Sequence, residues 1–264
     1  MKISDIIHYP VKSLAGNQLL RSEVHERGLE DDRRFMLIDD HNVFMSQRKI
    51  PQLCHVEVGI TEDHIVLRDR RNNESIRHKL EFELQKTEVS IWKTITTSHL
   101  FLYKELDEWI SDRMGTKLRF AYMDESDHRP INPKYAKADE IVSFADGYPI
   151  LVCNSASLKA LNESLSKPIA MAHFRPNLVI DHDIAWAEDQ WKRLKIGGVI
   201  LRIPKPCARC TVITIDPDTG EKNPEVLIQL GKKRMIDGKI LFGANAIVEQ
   251  TGVIKRNDKV EIVD

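Results

Sequence analysis

Two thiols set the chemistry this sequence can offer: Cys207 and Cys210, within Lys205-Pro206-Cys207-Ala208-Arg209-Cys210. Lys205 and Arg209 place positive charge beside both sulfurs, a field that favours thiolate over thiol. A thiolate either ligates a soft metal or attacks an electrophile. Structural zinc needs four ligands, and no second closely spaced Cys/Cys or Cys/His pair occurs, so this is half a zinc site. A thioredoxin-like pair opens a helix, whereas Thr211-Val212-Ile213-Thr214-Ile215 is β-branched and predicts a strand. On spacing alone, two core cysteines brought together by chance remain the plain structural alternative. Cys54 and Cys153 lie in apolar runs and read as small buried hydrophobes without a role.

Cations and hydroxyls gather at several predicted turns, as expected around a phosphorylated ligand. Tyr9-Pro10-Val11-Lys12-Ser13-Leu14-Ala15-Gly16 ends a strand with a Lys, a Ser and a flexible Gly. Asp31-Asp32-Arg33-Arg34-Phe35 begins another strand, and His173-Phe174-Arg175-Pro176-Asn177 a third. Arg offers a planar fork to phosphate or carboxylate, Lys a point charge, and Asn154-Ser155-Ala156-Ser157 adds donors at a helix start. Each has a structural alternative: solvated surface charge for Lys12 and Arg33, a helix cap for Ser155 or Ser157. Phe242-Gly243-Ala244-Asn245 reads as a turn before a strand. Asp216-Pro217-Asp218-Thr219-Gly220 reads as an ordinary turn, and Asp146-Gly147-Tyr148-Pro149 shapes the entry to a buried strand.

The elements that must position these groups are mostly strands. Alternation and turn signals predict strands over 2–9, 19–25, 34–39, 56–60, 65–68, 76–80 and 89–92, a spacing that suits a small barrel or sandwich. Apolar residues Leu102, Leu106, Trp109, Ile110 and Met114 follow helical spacing, with Gly115 as a C-terminal stop. The charged stretch 125–139, with Pro130 and Pro133, predicts a loop. Beyond it come a strand over 148–153, a capped turn and a helix carrying Leu158, Leu161 and Leu165. Strands then follow over 177–180, 194–196, 199–203, 211–215, 246–249 and 259–263, with a helix over 224–235. The fold class is α+β, mainly β: a small β-barrel over 1–100, then a mixed β-barrel with peripheral helices over 101–264, of which 101–116 is a helical linker.

The 264 residues suffice for a core without staples, as one large domain or two small ones. With 39 basic against 40 acidic side chains, no global field draws the chain to nucleic acid or anionic lipid, so an anionic ligand needs a local cluster. No segment approaches the roughly 18 consecutive apolar residues of a membrane span. Four scattered cysteines do not make a disulfide framework, and a reducing cytoplasm is the expected compartment of a soluble, unprocessed protein.

Taken in order, Tyr9-Pro10-Val11-Lys12-Ser13, Asp32-Arg33-Arg34-Phe35, Ser143-Phe144-Ala145-Asp146-Gly147-Tyr148-Pro149, Asn154-Ser155-Ala156-Ser157-Leu158, Phe174-Arg175-Pro176-Asn177, Pro206-Cys207-Ala208-Arg209-Cys210 and Phe242-Gly243-Ala244-Asn245 resemble the MOSC (molybdenum cofactor sulfurase C-terminal) family. The likeness spans essentially the whole chain. It is to the subgroup with an N-terminal β-barrel, which includes the mitochondrial amidoxime-reducing component and its bacterial relatives. It implies a molybdenum cofactor, Mo-molybdopterin, held through one protein cysteine; Cys210 matches that ligand and would be the catalytic, metal-binding residue, with Cys207 structural or supporting. Lys12, Ser13, Arg33, Asn154, Ser155, Ser157, Arg175, Asn177 and Arg209 would hold the pterin and its phosphate. Asn245 would stand near the metal, where relatives often carry Tyr or Gln. The resemblance further implies reduction of small N-hydroxylated substrates such as amidoximes, hydroxamic acids or N-hydroxylated nucleobases. At the level of the domain alone, it also brings an association with pyridoxal phosphate binding. No four-cysteine cluster motif follows, so electrons are expected from a separate electron-transfer protein. The alternative is a cofactor carrier or sulfur-transfer protein that uses the same cysteine without reducing anything.

Overall fold

Where apolar and polar residues alternate, the chain forms strands, and the computed structural model describes all residues 1–264. Val56–Ile60, His64–Asp69 and Ser75–Lys79 form an antiparallel meander whose inward positions Val56, Val58, Ile65 and Leu67 are fully buried. A five-stranded sheet packs with it, in the order Leu84–Ile91, Thr94–Phe101, Arg119–Tyr122, Phe35–Ile38 and Val11–Lys12. Helix α1 (Lys104–Met114) turns Leu106 and Ile110 into the same core and ends at Gly115, whose left-handed φ of 65° closes the last turn. Phe35, Phe101 and Phe120 anchor this body; each buried ring contributes about 1.5–3 kcal/mol.

The second body is built on a nine-stranded sheet centred on the long strands Val199–Ala208 and Lys239–Gln250. Helices α2 (Ser155–Asn162) and α3 (Glu225–Arg234) are peripheral to it, and the whole is mainly β. No helix is long and apolar enough to cross a membrane. The first strand of the chain, Lys2–His8, lies in this sheet between Leu178–Asp181 and Asn17–Leu19, with Ile3 and Ile6 in its core. Conversely, α1 and Arg119–Tyr122 belong to the first body. The hydrophobic cores therefore do not divide at residue 100: each body borrows chain from the other's side of that point.

Three local readings change. Thr94–Phe101 forms a long hairpin with Leu84–Ile91, where only a short strand over 89–92 was expected. The β-branched run after Cys210 is not a strand but a 3-10 turn, Thr211–Thr214, because burying Ile213 under α3 and Phe242 outweighs extended propensity. Gly243 lies inside the strand Lys239–Gln250 rather than in a turn before it. The turn at Asp216–Gly220, read as ordinary, bridges the bodies: Arg70 donates to the carbonyls of Cys54 and Pro217.

Candidate functional site

A cavity of about 900 Å³ lies where the two bodies meet, and both thiols of the Cys-x-x-Cys segment face it. Strand Val199–Ala208 carries Cys207 to its edge, and Cys210 caps the 3-10 turn that follows. Arg209 pins the segment. Its backbone N–H donates to the Ile240 carbonyl at 2.7 Å, and its guanidinium donates to the Phe174 carbonyl at 2.7 Å and the Cys207 Sγ at 3.1 Å, while Nε stays buried without a partner. Behind it Phe174 stacks on Phe242 with centroids 3.6 Å apart. Gly243, at φ 73°, lets this strand approach its neighbour, since a methyl group there would sit 2.7 Å from Cys153 Sγ. Burial pushes the Cys153 thiol well up and that of Cys54 to about 11, so both are inert and the two cavity cysteines are the available sulfurs.

Cations close the rest of the wall. Seven positive side chains line the cavity (Lys12, Arg33, Arg48, Arg129, Arg175, Lys205 and Arg209) against one carboxylate, Asp146. Lys12 is buried, reaches Asp146 at 2.5 Å, and is pulled down to about 8 by loss of water, which the Asp146 charge only partly offsets. Partial loss of water opposes ionisation of the exposed Asp146, yet the Lys12 charge and hydrogen bonds from Lys12 and Trp92 hold its carboxyl below the usual range. Arg33 donates to Asp32 at 2.6 Å and to Asn177 Oδ1 at 2.9 Å. Four lining residues, Ser13, Arg33, Trp92 and Arg175, sit at left-handed φ of 75°, 51°, 56° and 54°. Each such position costs on the order of 1–3 kcal/mol, and strain of this kind gathers where side chains must be aimed. Like charges at this density repel strongly in a low dielectric, and an anion is what relieves them.

Of the residues expected from the sequence, Lys12, Ser13, Arg33, Arg175, Asn177, Arg209, Cys210 and Asn245 all line the cavity, the last also donating to the Pro206 carbonyl. Asn154, Ser155 and Ser157 do not. Asn154 caps α2 by accepting from the Ala156 N–H and donates to Glu188; Ser157 also donates to Glu188, and Ser155 to Asp181. Their hydroxyl and amide groups are consumed by a buried carboxyl and a helix start, the cap reading of the same residues. His173 is likewise outside, its Nδ1 hydrogen-bonded to the Ile213 carbonyl. Sequence reasoning missed Arg48, Arg129 and Trp92 as site residues, read Lys205 only as charge beside the thiols, and gave Asp146 no chemistry. Arg129 donates to the carbonyls of Ser143 and Ala145 and so shapes the loop that presents Asp146. Trp92 sits at the tip of the long hairpin, with Arg48 over its ring. The signal within reach was the charge of Lys205 and Arg129 beside recognised motifs.

Residues 1–117 match the model of the MOSC N-terminal beta barrel domain, and residues 139–261 that of the MOSC domain. The chain belongs to the MOSC family. It is 25% identical to human molybdenum cofactor sulfurase over 91% of the chain, spanning only 29% of that protein. It is 27% identical to human mitochondrial amidoxime-reducing component 1 over 97% of the chain and 81% of that protein. Among solved structures, the YUAD protein from Bacillus subtilis is similar at 10% identity and a TM-score of 0.46, covering 98% of this chain and 93% of that one. In this MOSC chain both family domains contribute to one cavity: Lys12 and Arg33 come from the first, Arg175, Arg209 and Cys210 from the second. Its wall combines two thiols with seven cations, a donor set chemically able to take a soft metal and an anionic group.

Proposed function

We propose that this MOSC protein holds a molybdenum cofactor in the cavity and reduces N-hydroxylated compounds there. The observation that carries the reading is Cys210 facing a cavity of seven cations and one carboxylate. The residues fit the group: Cys210 offers a thiolate to the metal; Arg33, Arg175, Arg209 and Lys12 offer charge to the phosphate; Ser13, Asn177 and Asn245 lie beside them. When bound, the cofactor supplies oxygen-atom removal, converting an N–OH group to N–H and water with two electrons and two protons. The chain's own share is orientation and exclusion of water. Arg209 fixes the cysteine segment, Arg129 fixes the loop carrying Asp146, and the hairpin tip at Trp92 walls the mouth. Small N-hydroxylated molecules such as amidoximes fit a cavity of this size, and the electrons come from a separate electron-transfer protein.

Likeness to molybdenum cofactor sulfurase over 91% of the chain favours a second reading, a cofactor carrier or sulfur-transfer protein that uses the same cysteine. Protein purified from a cofactor-competent host separates the two. Reduction of benzamidoxime by reduced methyl viologen is expected; cofactor transfer to an apo-enzyme without any turnover would replace the reductase with the carrier.

A further inference from the structure

Tyr9 sits behind the cations rather than among them, and its surroundings are unusual. Its ring is buried, and the guanidinium carbons of Arg33 and Arg175 lie 4.4 Å and 4.2 Å from its centroid. Two positive groups thus share one aromatic ring, whose π-electron faces attract cations. Left to themselves the guanidiniums would repel and swing apart. Both are instead aimed from left-handed backbone positions, and the Arg33 N–H donates to the Tyr9 carbonyl at 2.7 Å. Asp32 completes the clamp, accepting from the Tyr9 N–H at 2.8 Å, from Asn177 at 3.0 Å and from Arg33 at 2.6 Å. Gly16 makes room for the ring: a methyl group there would collide with Cε1 of Tyr9 and come within 2.8 Å of Ile7 Cγ2. Ring position and cation placement are therefore set together, by Tyr9, Asp32 and Gly16, which themselves stay off the cavity wall.

We propose that Tyr9 is the positioning residue of the anion site, its ring holding Arg33 and Arg175 convergent so that both act on one phosphate-bearing ligand. This rests on the reading that the cavity takes such a ligand, and it predicts that the aromatic face, not the hydroxyl, is what matters. Tyr9→Phe keeps the face, Tyr9→Leu removes it, and Gly16→Ala displaces it.

The test titrates inorganic pyrophosphate into the full chain, purified from a host that cannot make the molybdenum cofactor, by calorimetry at low salt, with circular dichroism reporting folding. Expected are affinity within about twofold of wild type for Tyr9→Phe, and a loss of roughly tenfold in folded Tyr9→Leu and Gly16→Ala, in line with loss of cation–aromatic attraction. Wild-type affinity in folded Tyr9→Leu overturns the proposal, as does a loss in Tyr9→Phe equal to that in Tyr9→Leu. If Tyr9→Leu does not fold, Gly16→Ala and Tyr9→Phe decide in the same way. Tyr9-dependent pyrophosphate binding, together with no molybdenum in the same chain purified from a cofactor-competent host, would support the clamp while removing the cofactor reading. Absence of pyrophosphate binding by the wild type removes the clamp itself.

Discussion

Lys12 carries charge where water solvates it poorly, and this gives the cavity a pH dependence. Its folded-state pKa, about 8, lies below the ordinary lysine value. Between the two, the unfolded chain binds the extra proton, so this residue's contribution to stability rises with pH across that window. The charge offered to an anion is lost over the same window. Anion affinity measured by calorimetry is therefore expected to fall as pH rises through about 8, and Lys12→Arg, which stays charged, to move the fall upward; identical profiles for the two would contradict the role of Lys12. Ser13 tests backbone rather than charge. At φ 75° a β-branched residue is strained, so Ser13→Val is expected to lose about 1–2 kcal/mol in thermal unfolding while Ser13→Gly loses none. At this scale the cysteine pair and the Lys12, Arg33 and Arg175 turns were legible as cavity neighbours because a charge beside a thiol, or in a turn at a strand end, is a local pattern. Asn154, Ser155 and Ser157 lie off the cavity because a helix start and a phosphate recruit the same side chains; Glu188 takes up Asn154 and Ser157, and Asp181 takes up Ser155.

Arg129 belongs to the scale of elements, since it holds a loop together from inside. It donates at 2.6 Å and 2.5 Å to the carbonyls of Ser143 and Ala145, and replacing it with Met would leave both without their charged donor. Arg129→Met is expected to lower stability by about 2–4 kcal/mol, read by denaturant unfolding, and to weaken anion binding through the misplaced Asp146 loop. An unchanged unfolding midpoint would show that other contacts shape the loop. Strands with clean alternation, such as Val56–Ile60, could be read directly, and α1 and α3 announced themselves by spacing and by the Gly115 stop. Thr94–Phe101 escaped because its Thr, Ser and His residues give little polar contrast between faces. The Thr211–Thr214 turn escaped because β-branched composition is a weaker determinant than the core contact of Ile213.

At the scale of the whole molecule, the two bodies are interlocked by chain exchange, and the cavity is a product of that exchange. Local patterning predicts two barrels in order but carries no sign that Lys2–His8 joins the second body's sheet, because pairing over such separations leaves no local trace. A fragment of residues 102–264 lacks that strand, along with Lys12 and Arg33, and is expected to be poorly folded by circular dichroism and free of molybdenum. On the function proposed, Cys210 is the sulfur that would hold the cofactor's metal. The most direct measurement is the molybdenum and pterin content of wild type, Cys207→Ala and Cys210→Ala purified in parallel from a cofactor-competent host, each checked for folding. Near-stoichiometric molybdenum is expected in wild type, with retention in Cys207→Ala and loss in folded Cys210→Ala; full molybdenum content in Cys210→Ala, or none in the wild type, would rule out Cys210 as the metal's sulfur ligand.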